Sequence, residues 1–303
     1  MAEKLLIEGW RGINHSYAMV NQYQLLELKK HPVELYHHDA PFYKKNWSTS
    51  QNFCGFNSDA FQQIQSIPSL PPNIKADATY RISFPYNLTP AKSDRLFVFG
   101  TTEYQNLTKD MFCLEGSALY KDLPLTIITP SNWSKEGFLK SGFKVDQVKV
   151  VPHGVDLSTF RPIRSELRDQ YRGLLGASGE SFVILTVGAM TNNKGVDILL
   201  DAYIRLKKKY PHIKLVLKDQ SNLYGFSAND LVSIYCKEKN IDPTTKDIVN
   251  AISGIVCIAE NLDLNQLNGL YNAADCYVSP YRAEGFNLPP LEAAASGLSL
   301  IHI

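Results

Sequence analysis

Two glutamates, Glu284 and Glu292, stand eight positions apart in the run S-P-Y-R-A-E-G-F-N-L-P-P-L-E-A-A-A-S-G at 279–297. The run Asp275-Cys276-Tyr277-Val278-Ser279 reads as a strand, and Pro289 and Pro290 mark a helix start. The first carboxylate therefore ends a loop, and the second lies in the first helical turn. Between them Gly285, Phe286, Asn287 and Leu288 can offer backbone N–H groups near a helix N-terminus, where donors are unpaired and the dipole favours negative charge. Carboxylates accept hydrogen bonds from sugar hydroxyls, while such amides receive an anion. The pairing suits a ligand carrying both hydroxyls and phosphates. The plainer alternative is a strand, turn and helix whose glutamate stabilises the helix N-terminus.

A second stretch of this kind lies upstream. The strand expected at 182–187 is continuous and apolar, as a strand buried on both faces should be. It runs into G-A-M-T-N-N-K-G at 188–195 and then a helix over 196–210, whose Val196, Leu199, Leu200, Tyr203 and Leu206 share one face. Lys194, beside Gly195 at the helix start, is placed to meet a phosphate. Its plain alternative is a solvated surface charge.

Together these residues resemble a known family. Glu284-Gly285-Phe286, the seven-residue spacing to Glu292 and the small residues at 293–297 are similar to the nucleotide-sugar motif of retaining glycosyltransferases with the GT-B fold, most closely glycosyltransferase family four. Thr129-Pro130-Ser131-Asn132-Trp133 and the passage from Lys149 to Asp156, with Phe160 and Pro162, resemble the family's exit from its first domain, His153 standing where asparagine is commoner. The resemblance covers 129–297 most clearly. It implies an α/β chain of two Rossmann-like, doubly wound domains facing a cleft. It also implies transfer of a sugar from a nucleotide-diphosphate sugar to a hydroxyl of a glycan or other acceptor, with retention and without a metal or resident cofactor. By that resemblance Glu284 meets the donor sugar, Glu292 the ribose hydroxyls and Lys194 the diphosphate, with Gly285, Phe286, Asn287 and Leu288 completing the donor site.

The chain departs from the family at two places. Ala189 occupies the position of an arginine that helps hold the diphosphate, which leaves Arg11, Lys218 or Arg282 as stand-ins. No histidine follows the strand at 96–99, where related enzymes often carry one; Glu103 is a candidate substitute, weighed against capping by Thr102 and a surface role for Glu103 itself. These departures keep a second reading open, a sugar- or nucleotide-binding GT-B protein without activity. An epimerase or phosphorylase on the same fold is a third.

The elements that must position these groups begin with a short buried strand at 5–7, a loop at 8–16 and a helix over 17–30 closed by His31-Pro32. Ligands of doubly wound sheets bind at strand carboxyl ends, so Gly12, Asn14 and His15 are acceptor or cleft candidates. Ser16 is expected to cap the helix, and His15 is left between a binding role and an ordinary loop position. Strands follow at 33–36, 80–84, 96–99 and 125–128. An irregular insertion spans 40–73 with one short helix at 58–64. His153, at the expected hinge, is a further cleft candidate. The first domain is expected over 1–165, a polar linker with Gly173, Gly176 and Gly179 over 166–180, and the nucleotide-sugar domain over 181–303. In that domain further strands are expected at 214–217, 255–258 and 275–279, with helices at 228–240 and 264–272.

Length and composition agree with two soluble α/β domains. The 303 residues are 44% hydrophobic and 20% charged, and a net charge of +1 gives no electrostatic pull toward nucleic acid. No apolar run suits a signal peptide or a membrane span, so the cytoplasm is expected, with loose peripheral membrane association and glycan synthesis as family-level expectations. Five cysteines without a C-x-x-C pair argue for reduced thiols rather than a zinc site or disulfide frame. The D-x-D motif of metal-dependent sugar transferases does not occur. The last six residues, Leu298 to Ile303, are what a transposon-end adapter used in DNA library preparation would encode. The natural protein is therefore expected to be longer and the second domain truncated here.

Overall fold

Short β-rich apolar runs alternate with polar, helix-forming stretches, and each run pairs in parallel with another, as strand, helix and strand units require. The computed structural model describes residues 3–50, 54–113, 123–240 and 246–302. Two compact units emerge. One is Met1–His153 with Glu284–Phe286, the other Gly154–Ala283 with Asn287–Ile303.

In the first unit the elements are β1 (Glu3–Gly9), α1 (Ser16–Leu28), β2 (Val33–Asp39), α2 (Ser58–Gln65), β3 (Ala78–Ile82), β4 (Arg95–Phe99), β5 (Leu125–Thr129), α3 (Asn132–Lys140) and β6 (Val148–Val150). The strands form one parallel sheet in the order β2-β1-β3-β4-β5-β6. Ile7, Ile82, Val98 and Ile127 are fully buried along it, each worth on the order of 2 kcal/mol of apolar burial. The irregular stretch after β2 is not idle packing. Its Trp47 stands edge-on to Trp10 at 5.5 Å between ring centroids, which closes the core over the loop after β1.

The second unit comprises α4 (Ser165–Leu174), β7 (Phe182–Val187), α5 (Val196–Lys209), β8 (Ile213–Lys218), α6 (Ser221–Tyr224), α7 (Ala228–Glu238), α8 (Lys246–Ser253), β9 (Ile255–Ile258), α9 (Leu264–Ala273), β10 (Cys276–Ser279), α10 (Leu288–Ala295) and β11 (Ser299–His302). Its parallel sheet runs β11-β10-β7-β8-β9. Strand alternation splits the core between two faces. Ile184, Leu215 and Leu217 pack with Leu199, Leu200 and Tyr203 of α5. Val183, Leu185, Val216 and Tyr277 pack with Leu270 and Tyr271 of α9 and Ala293 of α10.

The residues expected to form a linker fold instead as α4, packed on α9. Arg168 and Arg172, one turn apart on α4, reach Asp275 at 2.7 and 3.0 Å, and Asp275 Oδ2 also accepts from Val183 N at 2.8 Å. Asn268 and Asn272 of α9 accept from the backbone N–H of Arg161 and Ile163 at 3.2 and 3.0 Å. A buried guanidinium must find acceptors, and here the strand start supplies them. The glycines that suggested a linker fall in the last turn of this helix and after it. No helix among the described residues is long and apolar enough to cross a membrane.

Candidate functional site

In the second unit the chain builds outward from β7 through β8 to β9, then returns to place β10 on the other side of β7. The strand order reverses between β7 and β10, and the carboxyl ends at such a reversal are where doubly wound sheets bind ligands. The loop after β7 carries Lys194 and the loop after β10 leads to Glu292, so both stretches singled out by their chemistry leave adjacent strands at one switch point.

These two loops are laced together. Arg282 N donates to Asn193 O at 2.7 Å, and its guanidinium donates to Asn192 O at 2.8 Å and to both oxygens of Asp197 at 2.8 and 2.7 Å. The paired guanidinium holds the Asp197 carboxyl below its usual range. Gly195 has φ +61, and a Cβ there would fall 1.9 Å from Pro280 O. Close approach of the two loops, as much as any ligand, explains why glycine follows Lys194.

The Lys194 ammonium lies 4.4 Å from the centroid of the Tyr281 ring, within cation–π range. Tyr281 and Tyr277 hydroxyls both donate to Val187 O, at 3.0 and 3.2 Å, and the Tyr277 and Tyr271 rings stand 6.1 Å apart. Tyr271, fully buried on α9, donates its hydroxyl to Glu292 Oε2 at 2.7 Å. Three tyrosines thus run from the candidate phosphate cation to the candidate ribose carboxylate. Burial pushes the Glu292 carboxyl up to about 7, against the pull of the Tyr271 hydrogen bond. Asn287, at φ +75, holds the N-cap position of α10 without a side-chain cap bond, and its Nδ2 donates to Ser279 Oγ at 2.7 Å. Leu288 opens the helix and the two prolines follow in its first turn, so the amides ahead of them have no partner within α10.

Glu284, Gly285 and Phe286 group with the first unit. Gly285 O accepts from Ser131 Oγ at 2.5 Å and Ser134 Oγ at 3.3 Å, while its N–H donates to Glu284 Oε1 at 3.2 Å. A Cβ on Gly285 would stand 2.7 Å from Thr101 Cβ. The Phe286 ring meets the His153 ring at 4.9 Å, and Phe99 flanks the same imidazole at 5.5 Å. Burial lowers the His153 pKa to about 4, so this imidazole is neutral near pH 7.

The other candidates of the first unit stand in the loops after β1 and β4. His15, not Ser16, caps α1: its Nδ1 accepts from Tyr17 N at 3.2 Å, and Ser16 is already helical. Trp10, Tyr17 and Trp47 surround the ring, and burial lowers its pKa to about 3. Gly12, at φ +81, donates its N–H to Gln22 Oε1 at 2.8 Å and supplies the turn beside Asn14. Glu103 is half-buried and its carbonyl accepts from Trp133 Nε1 at 2.8 Å. Thr102 caps no helix; fully buried, it bonds Ser134 of α3 through N and Oγ1 at 3.1 and 2.9 Å. Of the cation stand-ins, Arg11 is held by Asp39 in the first unit at 2.7 Å, while Lys218 and Arg282 belong to the second. The sequence reading missed the tyrosines. Their spacing in sequence follows no single helix or strand, and only the sheet brings them into line.

Residues 168–303 match the family model described as Glycosyl transferases group 1. Over 156 residues the chain is 30% identical to mannosylfructose-phosphate synthase of Agrobacterium fabrum, covering 52% of this chain and 32% of that protein. Over 160 residues it is 29% identical to D-inositol 3-phosphate glycosyltransferase of Paenarthrobacter aurescens, covering 53% and 36%. The aligned stretch thus spans about a third of these curated relatives. The glycosyltransferase from Rickettsia africae is similar in structure, with TM-score 0.70 at 13% identity over 100% of this chain and 79% of that one. Anabaena HepE in complex with UDP and glucose gives TM-score 0.57 at 16% identity over 99% and 80%. The chain has the GT-B fold. The family match takes in the second unit from Arg168 onward together with Glu284–Phe286 of the first, and Lys194, Lys218, Arg282, Glu284 and Glu292 all lie inside it. The candidates Gly12, Asn14, His15, Glu103 and His153 lie outside.

Proposed function

We propose that this GT-B chain moves a sugar from a nucleotide-diphosphate sugar to an acceptor hydroxyl, with retention of configuration and without a metal or resident cofactor. The observation that carries the reading is the convergence, at one switch point, of a lysine loop and a helix N-terminus whose first turns carry a half-buried carboxylate, within the residues that match the glycosyltransferase model. The complexes of Anabaena HepE with UDP and glucose and with UDP-glucose support a nucleotide sugar as the ligand class.

In this reading Lys194 and the amides of Asn287 and Leu288, ahead of the two prolines of α10, stabilise the departing diphosphate, which is electrostatic catalysis by preorganised donors. Glu292 accepts the ribose hydroxyls, and Tyr271 fixes the carboxylate that does so. Glu284 orients the donor sugar. Two carboxylates on one loop and helix do not straddle a scissile bond, so the acid and nucleophile pairing of glycosidases does not transfer.

Buried Ala189, at the place where the resembled family pattern has an arginine, favours a second reading, a binding protein that kept the fold and lost turnover. Calorimetric titration of UDP, GDP and ADP into the protein and its Glu292→Ala variant tests donor binding. One nucleotide should bind and weaken at least tenfold in the variant, by loss of charge-assisted hydrogen bonds. Conversion of the matching nucleotide sugar to free nucleotide in the presence of an acceptor extract separates enzyme from binding protein. No binding of any nucleotide by the folded protein would remove the proposal.

A further inference from the structure

Lys218 is the last residue of β8, a strand enclosed between β7 and β9. Its register partner on β7 is Val187, and Gly188 N donates to Lys218 O at 3.0 Å, so it stands beside the stretch that leads into Ala189. Strand alternation puts it on the face of Val216, the same face that α9 and α10 cover with Tyr271 and Ala293. Only 5% of the residue is exposed, and its ammonium donates to the carbonyl of Asp219. That carbonyl lies past the strand end, which puts the charge at the carboxyl edge of the sheet.

A buried ammonium is costly without an anion beside it. Among the described residues, the carboxylates that act on Lys218 are those of Asp219 and Glu260, and neither is in an ion pair with it. The two oxygens of Asp219 are engaged by Ser221 N at 2.9 Å and Ala228 N at 2.7 Å, and Glu260 is exposed. Burial lowers the Lys218 pKa accordingly. The competing cation, Arg282, has both terminal nitrogens on Asp197.

We propose that Lys218 supplies the second cation for the phosphates of a nucleoside diphosphate, in the place left by Ala189. This rests on the reading of the second unit as a nucleotide-sugar site. An ammonium offers three donors and here uses one on a backbone carbonyl, which leaves it suited to a phosphate arriving over the strand ends.

The test compares wild type with Lys218→Met and Lys218→Arg in the full chain, by thermal unfolding without ligand and by titration with inorganic pyrophosphate, with UDP, GDP and ADP, and with the parent nucleosides. Methionine removes a buried charge at similar length, so unliganded stability should hold or rise. Pyrophosphate and the bound nucleotide should weaken roughly ten- to a hundredfold, with the nucleoside unchanged. Arginine should retain most of the pyrophosphate affinity, and it serves as the reporter if the methionine variant does not fold. Pyrophosphate and nucleotide binding that is unchanged by methionine, or weakened to the same degree as nucleoside binding, overturns the assignment. If none of the three nucleotides binds wild type, the proposed function falls first and Lys218 with it.

Discussion

Raising the pH from 5 to 8 should destabilise the second unit, and Glu292→Gln should abolish that part of the dependence. The Glu292 carboxyl is pushed from an ordinary 4.5 to about 7 by burial, so the folded state favours its protonated form. The stabilisation this gives is complete below the unfolded pKa and is lost as pH rises through the folded one. A shift of this size corresponds to about 3 kcal/mol between the two limits. Indole fluorescence will not report it, because Trp10, Trp47 and Trp133 all lie in the first unit. Hydrogen exchange of the β7 and β10 amides at pH 5 and pH 8, corrected for intrinsic rates, reads the second unit directly. Nucleotide affinity should move the opposite way, rising through pH 7 as the carboxylate that receives the ribose hydroxyls forms. A Glu292→Gln protein with the same pH slope as wild type would refute the reasoning, since another group would then carry the titration.

Tyr271→Phe removes the hydrogen bond that favours the ionised Glu292, so the midpoint for nucleotide binding should move to higher pH; an unchanged midpoint counts against the pairing. Gly195→Ala places a methyl 1.9 Å from Pro280 O at a positive φ, and should cost more than 2 kcal/mol in denaturant unfolding while Gly154→Ala, with open space around it, costs under 1. Asp275→Ala strips the buried Arg172 of its carboxylate and should lower stability by about 3 kcal/mol, measured by the same exchange of β7 amides. His15→Ala should cost about 1 to 2 kcal/mol at pH 8 through the lost cap and ring packing and less at pH 5, because the imidazole, held to a pKa of about 3 when folded, stays neutral there while in the unfolded chain it takes up a proton; denaturant unfolding with an equal cost at both pH values counts against this.

Strands and most helices were legible because both sheets are parallel and buried, so each strand is a short apolar run and each long helix keeps one apolar face. The helix at Ser165–Leu174 was not, since its stabilising contacts are two arginines aimed at an aspartate a hundred residues away rather than an apolar stripe. Glu292 could be singled out by spacing, but its titration behaviour is set first by burial and then, in the opposite sense, by Tyr271, and only the packing of α9 against α10 reveals either. The choice of His15 over Ser16 as cap was equally hidden. It follows from the aromatic surroundings of the imidazole, which include Trp47 from a stretch with no periodicity to read.

The two guanidiniums of α4 also decide where the second unit begins as a physical object. A fragment opened at Phe182 would contain Lys194, Lys218, Arg282 and Glu292, yet Asp275 would face the β7 backbone with Arg168 and Arg172 gone. The asparagines of α9 would likewise lose the backbone of Arg161 and Ile163. Isolation of this unit for binding or crystallisation therefore has to start upstream of Arg161, near Gly154, where the chain first joins it.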